Sequence, residues 1–393
     1  MLGEWQATFD HWIDRARQGE VSDSDFAKLA IWLADSGEKL AGTPLDADLA
    51  STGGPGSLAT LWTPPALVAN GYRVPKLGVP GRPAGGVDVL SQIPGYTICF
   101  GSSEANAILD SCGYVHMISN EKFAPADASL FAYRQKTGAQ AIPALAIASL
   151  LSKKIAMGVK RVGLEVRVAN HGNFGATQDE ARVNAFRFIR VAHLLGLRAV
   201  CFLTDGMIPQ QPYVGRGEAL VALSLATKSE APQWLEEHLA NCEEWAATIT
   251  GTLYSPRSEI IGSFSANLIA QGSSVDAFES RVDEIACAHS ENPKWLLAPG
   301  SGEVRYDLRG LRDAILDARG TDQDFEFNDS VGLILAVKTG HTVEKGDPLM
   351  SVRCPDAIWP AFETILEKAV TITDPVRAAT KEVGLGALEI IGV

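Results

Sequence analysis

No stretch of this 393-residue chain holds 18 consecutive apolar residues, so no segment is long and apolar enough for a membrane-spanning helix. The opening residues, Met-Leu-Gly-Glu-Trp-Gln, lack a basic run followed by an apolar one, so no secretory signal is expected. Cys99, Cys112, Cys201, Cys242, Cys287 and Cys354 are scattered, without a Cys-x-x-Cys pair, which favours reduced thiols in a cytoplasmic protein. The seven histidines show neither His-x-x-x-His nor His-Glu-x-x-His spacing, so no metal site is expected. Basic charge is in deficit: the formal net charge is −13, which argues against a general nucleic-acid binder but leaves room for a small anion in a local basic pocket. With 46% hydrophobic and 21% charged residues, the chain is an ordinary globular protein with room for two or three domains.

Residues 1–43 read as helical, with Ser22 as an N-cap, Asp25 three residues on, and an apolar stripe of Phe26, Leu29, Ala30 and Leu33. The segment 48–70 passes from a glycine-rich turn into a helix, and the Gly/Pro-dense stretch 71–95 reads as mostly loop. Beyond it, runs at 97–100, 113–117, 162–168 and 199–204 read as strands, and 141–157, 179–195 and 217–227 as helices. Such alternation favours a parallel α/β sheet. Residues 303–393 change character, with a helix over 308–319 and short strands at 331–337 and 346–352, which suggests a small α+β unit.

Two stretches carry candidate chemistry. Ser149 and Lys153 stand four apart on an apolar helical run, hence on one helix face, with Arg134 upstream. A hydroxyl, an ammonium and a guanidinium suit a planar ligand bearing carbonyl oxygens; the plainer alternative is a helix end with a solvated Lys-Lys pair. Ser51-Thr52-Gly53-Gly54-Pro-Gly56 precedes a helix, and its backbone amides suit a phosphate; a simple turn is the alternative.

Taken together the motifs resemble the thymidine/pyrimidine nucleoside phosphorylase family, which is related in fold to anthranilate phosphoribosyltransferase. Ser51-Thr-Gly-Gly54 is similar to the family's Lys-His-Ser-Thr-Gly-Gly loop, and Ile93-Pro-Gly-Tyr96 to its Ile-Pro-Gly-Phe. Ala124-Pro-Ala-Asp127 leads to Tyr133 and Arg134 as Pro-Ala-Asp leads to Tyr-x-x-Arg there. Ser149-Leu-Leu-Ser-Lys-Lys154, Glu165-Val-Arg-Val168 and Val343-Glu-Lys-Gly-Asp-Pro-Leu349 match further family motifs. The resemblance implies an α/β fold with a small discontinuous helical domain (1–45 with 126–157), a large mixed or parallel α/β domain (46–125 with 158–302) and a C-terminal α+β domain (303–393). It implies a homodimer, no membrane or nucleic-acid partner, and no cofactor beyond phosphate as co-substrate. The implied reaction is phosphorolysis of a pyrimidine nucleoside to base and pentose 1-phosphate, in which Arg134, Ser149 and Lys153 hold the base and stabilise its developing charge.

Departures from the pattern cluster on the phosphate side. The family's lysine and histidine before Ser-Thr-Gly-Gly are Leu49 and Ala50, and a phosphate-site serine is Gly78. Thr60 keeps the hydroxyl of another, while Gly81-Arg-Pro-Ala-Gly-Gly86 shortens the second loop. Lys76 and Arg82 flank that loop and are candidates to restore positive charge, solvated loop cations being the alternative. Asn170-His-Gly-Asn-Phe174 replaces Ser-Gly-Ala-Phe; Phe174 is expected to line the base pocket and His171 to take over from the lost histidine, unless it is a plain loop residue. Glu218 falls out of register with a glutamate of the family's monovalent-cation site, so that site is in doubt. A thinned phosphate pocket leaves two further readings: the same fold with an altered nucleophile, such as water, or an unusual nucleoside; and a base-binding homologue without turnover.

Overall fold

The protein is described from a computed structural model that covers residues 2–51, 54, 56–172, 174–291, 293–320, 322, 327–373 and 389–392. Helices α1 (Leu2–Arg17) and α2 (Asp23–Ala34) open the chain, and Ser22 and Asp25 cap α2 reciprocally, as the sequence predicts. Strand β1 (Ala47–Ser51) delivers the glycine loop to helix α3 (Ala59–Ala69). Then come β2 (Val74–Gly78), α4 (Gly86–Leu90), α5 (Ser102–Cys112) and β3 (Tyr114–Ile118). Helices α6 (Pro125–Lys136) and α7 (Pro143–Ala156) return to pack on α1 and α2. The chain continues through β4 (Arg161–Val168), α8 (Gln178–Leu194) and β5 (Arg198–Asp205). A short β6 (Tyr213–Val214) precedes helices α9 (Arg216–Lys228), α10 (Gln233–Thr250), α11 (Arg257–Ala270) and α12 (Val275–Ser290). No helix among the described residues is long and apolar enough to cross a membrane.

The parallel strands lie in the order β3, β2, β1, β4, β5, and the last strand of the chain, Glu389–Ile391, adds antiparallel to β5. The connections reverse direction between β1 and β4, and in open α/β sheets such a switch point opens a crevice at the strands' carboxyl ends. Ser51 and Val168 stand there. One hydrophobic cluster joins α1, α2, α6, α7 and α8 to one face of the sheet; another joins α3, α9, α10 and α11 to the other.

Two expectations are corrected. Thr97–Phe100 forms no strand: Thr97 N–H donates to the Gln271 carbonyl and Ile98 accepts from Ile118, but no ladder develops. The 71–95 stretch holds β2 and α4, because burial between β1 and β3 overrides the poor strand propensity of Val74-Pro-Lys-Leu-Gly78. Pro75 leaves its mark there. Arg73 N–H donates to Leu45 O and Ala47 N–H to Arg73 O; the next donor in register is position 75, which has no N–H. The β1–β2 ladder therefore shrinks to the single Asp46–Arg73 bridge.

In the C-terminal part, β7 (Lys294–Leu297), β8 (Gly302–Tyr306), α13 (Leu308–Arg319), β9 (Gly332–Leu335), β10 (Thr342–Val343), β11 (Pro348–Arg353), α14 (Trp359–Lys368) and β12 (Val370–Thr373) surround a third cluster. Its sheet β6-β9-β11-β7 recruits two strands that lie ahead of residue 303. Glu218 of α9 docks this part: Arg353 donates to its carboxylate at 2.7 and 3.1 Å, and His289 Nε2 lies at 3.0 Å. The glutamate of the doubtful cation site is thus held by a guanidinium.

Burial alone would raise the Glu218 carboxyl, but Arg353 and His289 overcome it and hold it well below the usual carboxylate range. A depressed folded-state pKa contributes stability that is present above the unfolded value of 4.5 and lost as pH falls below it. Glu218→Gln is expected to cost about 1.5–3 kcal/mol at neutral pH, since Arg353 loses charge-assisted bonds to Glu218 but keeps Asp329 at 2.8 Å, and to flatten the acid limb of stability. Urea titrations of both proteins from pH 7 down to pH 3 test this.

Candidate active site

Helices α6 and α7 bring Arg134, Ser149 and Lys153 together around a residue that the site prediction lacked. Lys153 Nζ donates to Asp127 Oδ2 at 2.5 Å, to the Ser149 carbonyl at 2.6 Å and to Ser149 Oγ at 3.2 Å. These bonds occupy all three ammonium hydrogens, and the Ser149 hydroxyl keeps its own to offer onward. Arg134 Nε and Nη2 hold the Ala139 and Gln140 carbonyls at 3.3 and 2.8 Å, leaving Nη1 for a ligand. The three residues are only 3–5% exposed. Burial pushes the Arg134 guanidinium down to about 10, with Asp127 opposing and Arg82 adding to the shift. Burial likewise lowers Lys153, against the pull of Asp127. Asp127 Oδ1 remains buried without a partner among the described residues.

Across the crevice, the buried Glu165 of β4 gathers hydroxyls. Ser51 donates at 2.5 Å and Ser57 at 3.1 Å to Oε2, and Thr204 at 3.4 Å to Oε1. The Arg167 guanidinium lies against the glycine loop, so that a Cβ at Gly54 would fall 1.0 Å from Arg167 Nη1. Below the loop, Asp48 of β1 takes Lys76 Nζ at 2.8 Å and Lys154 Nζ on its second oxygen. In the second loop, Gly81 N–H donates to Asp88 Oδ1 at 2.7 Å, and Arg216 binds the same oxygen at 2.8 Å. Burial pushes Asp88 up to about 6 against that arginine.

No family model matches the chain. A thymidine phosphorylase of Burkholderia cenocepacia is 28% identical over 360 residues, spanning 86% of this chain and 82% of that protein. Human thymidine phosphorylase is 29% identical over 359 residues, spanning 83% and 73%, and a Staphylococcus aureus pyrimidine-nucleoside phosphorylase is 23% identical over 397, spanning 92% and 87%. The chain is a divergent relative of the thymidine and pyrimidine-nucleoside phosphorylases. Among solved structures, an anthranilate phosphoribosyltransferase from Thermus thermophilus covers 70% of this chain and 94% of its own at 14% identity, with a TM-score of 0.48.

Against that family pattern, the sequence candidates divide. Arg134, Ser149 and Lys153 form one cluster, in which the Lys153 ammonium is held by Asp127 and Ser149. Ser51 and Gly54 stand at the switch point, with the Ser51 hydrogen committed to Glu165. Thr52 and Gly53 lie outside the described residues. Thr60 sits half-buried in the first turn of α3.

Lys76 does not serve the second loop. Its ammonium donates to Asp48 and to the Leu49 carbonyl, beside the stretch where the β1–β2 ladder is cut short. Arg82 lies near the Arg134 guanidinium. Its guanidinium carbon lies 4.6 Å from the centre of the Phe131 ring of α6, bridging the lobes, and it has no carboxylate partner among the described residues. Burial and nearby Arg312 push it down to about 10.

Phe174 is fully buried in the helical-side core, so it lines no open pocket. His171 is exposed; burial of part of its ring and nearby Arg167 lower its pKa, and Asp307, Arg309 and Arg312 are its other charged neighbours. It stands toward the C-terminal domain, not with the Arg134 group. Asp127, Glu165 and Arg167 are the additions; all three lie within the quoted motifs, which was their one signal.

Gly54→Ala would press on the far end of a flexible arginine, so the fold should hold while Arg167 moves. The expected outcome is a melting temperature within a few degrees of wild type and weaker phosphate binding, read by isothermal calorimetry.

Proposed function

We propose that the protein is a pentosyltransferase that cleaves a pyrimidine nucleoside with phosphate, giving free base and pentose 1-phosphate. The observation that carries this reading is the Arg134–Asp127–Lys153–Ser149 cluster on α6 and α7, with α7 tied through Lys154 to Asp48 of the strand that leads into the glycine loop, in a chain related to thymidine and pyrimidine-nucleoside phosphorylases. A phosphate oxygen bonds to the anomeric carbon as the C–N bond breaks, and that bond's electrons leave with the base. Arg134 Nη1 and the Ser149 hydroxyl meet the charge that grows on the base carbonyls, and the Lys153 ammonium polarises that hydroxyl. Arg167 and Arg82 supply positive field on the phosphate side, where Leu49 brings none.

We infer a homodimer through the helical lobe, where Ile31 and Trp32 of α2 are exposed, and a cytoplasmic location. The protein needs no cofactor beyond the phosphate it consumes.

The test is base release from uridine, thymidine and related pyrimidine nucleosides, each with and without millimolar phosphate. Release should require phosphate, and Arg134→Ala should lower kcat/KM about 10²–10³-fold with the fold intact. Equal release without phosphate would overturn phosphorolysis.

A further inference from the structure

We propose that Arg216, Asp88 and Asp322 are positioning residues that aim Arg82 at the phosphate, so that a carboxylate of the C-terminal part sets phosphate affinity without touching the ligand; the role of Arg82 in this rests on the proposed function. Asp322 follows α13, whereas Arg82 lies in the second glycine loop, 240 positions earlier in the chain. One buried guanidinium joins them.

Arg216 opens α9, and its side chain is 1% exposed. Nη2 donates to Asp88 Oδ1 and to Asp322 Oδ2, both at 2.8 Å. Nη1 donates to Asp322 Oδ1 at 2.8 Å and to the Asn328 carbonyl at 2.7 Å, and Nε to the Arg82 carbonyl at 3.3 Å. A guanidinium has five N–H groups, and here all five are committed. Arg216 therefore offers nothing to a ligand and acts through the groups it holds. Asp322 takes it with both oxygens, a paired geometry that fixes direction as well as charge. The Phe327 ring lies over it, its centre 5.2 Å from the guanidinium carbon.

The pair clamps the backbone on both sides of the Gly81–Arg82 peptide. Gly81 N–H donates to Asp88 Oδ1 at 2.7 Å, and the Arg82 carbonyl is held by Arg216. Gly81 turns at a φ of +90°, and these two bonds fix where the turn leads. Arg82 has no carboxylate partner among the described residues, so its direction comes from this clamp and from the Phe131 ring 4.6 Å away. Asp322 is itself anchored, accepting Asn328 N–H and Arg319 Nη2, each at 3.0 Å. A change at Asp322 thus passes to Arg216, then to the Arg82 backbone, then to its guanidinium. A misplacement of about 1 Å in a group that meets the reactants can cost up to about 10²-fold.

The sign of one substitution separates aiming from plain electrostatics. Asp322→Asn removes a negative charge, so field alone makes phosphate bind more tightly, whereas a misaimed Arg82 makes it bind more weakly. Isothermal calorimetry of the full chain with inorganic phosphate should give a Kd about fivefold weaker for Asp322→Asn, with uridine affinity within about twofold of wild type. In an Arg82→Ala background, Asp322→Asn should add no further loss, because the two act through one group. Asp88→Asn, which keeps the side-chain size, should weaken phosphate binding in the same way and decides the matter if the Asp322 variant misfolds. Unchanged or tighter phosphate binding in a variant that melts like wild type overturns the proposal, as does an equal loss with and without Arg82. Calorimetry reads binding without turnover. A protein that shows this pattern yet releases no base removes the proposed function and supports the positioning role. One that releases base with phosphate while Asp322→Asn binds phosphate like wild type removes the positioning role alone.

Discussion

Asp48 is one carboxylate with two ammonium groups on it, and the rest of the site hangs from that arrangement. It sits on β1, three residues before Ser51, and takes Lys76 from β2 and Lys154 from α7. Burial would raise its carboxyl, but the two lysines overcome that and hold it below the ordinary aspartate value. Lys154 is the neighbour of Lys153, so the pair locks the helix that carries the Arg134 partners to the strand that carries the glycine loop. Removing one partner of such a buried group strands charge in the interior, which is why these contacts behave as a unit.

The two sides of the crevice are built differently. On the helical side, one carboxylate, Asp127, orients Lys153, which in turn leaves a serine hydroxyl and an arginine edge as the groups offered outward. On the sheet side the familiar lysine is absent, and the positive field comes from guanidinium groups: Arg167 beside Gly54 and Arg82 stacked across the lobes on Phe131. Guanidinium groups keep their charge even when burial lowers their pKa, so they suit a pocket that is closed from water before reaction.

Lys76 shows how a backbone defect redirects a side chain. Pro75 ends the β1–β2 ladder, and the ammonium next to it bonds the Leu49 carbonyl nearby. In sequence, the same residue reads as a loop cation beside a glycine-rich turn. The distinction depends on a pairing between strands 27 residues apart, which no local pattern contains.

Periodicity and capping in the sequence were enough to determine α2, α7, α8, β4 and β5, because each depends on neighbours within a turn or a pleat. The quoted motifs likewise led to Arg134, Ser149 and Lys153, whose shared face follows from helical spacing and proximity in the chain. Tertiary structure alone decided that Asp127 would hold Lys153, that Glu165 would collect Ser51, Ser57 and Thr204, and that Phe174 would be sealed in the core. It also decided that Thr97–Phe100 would form no strand and that Val74–Gly78 would pair. Those outcomes depend on which buried polar groups and strand edges find partners far along the chain, and such pairing is settled only when the whole fold closes.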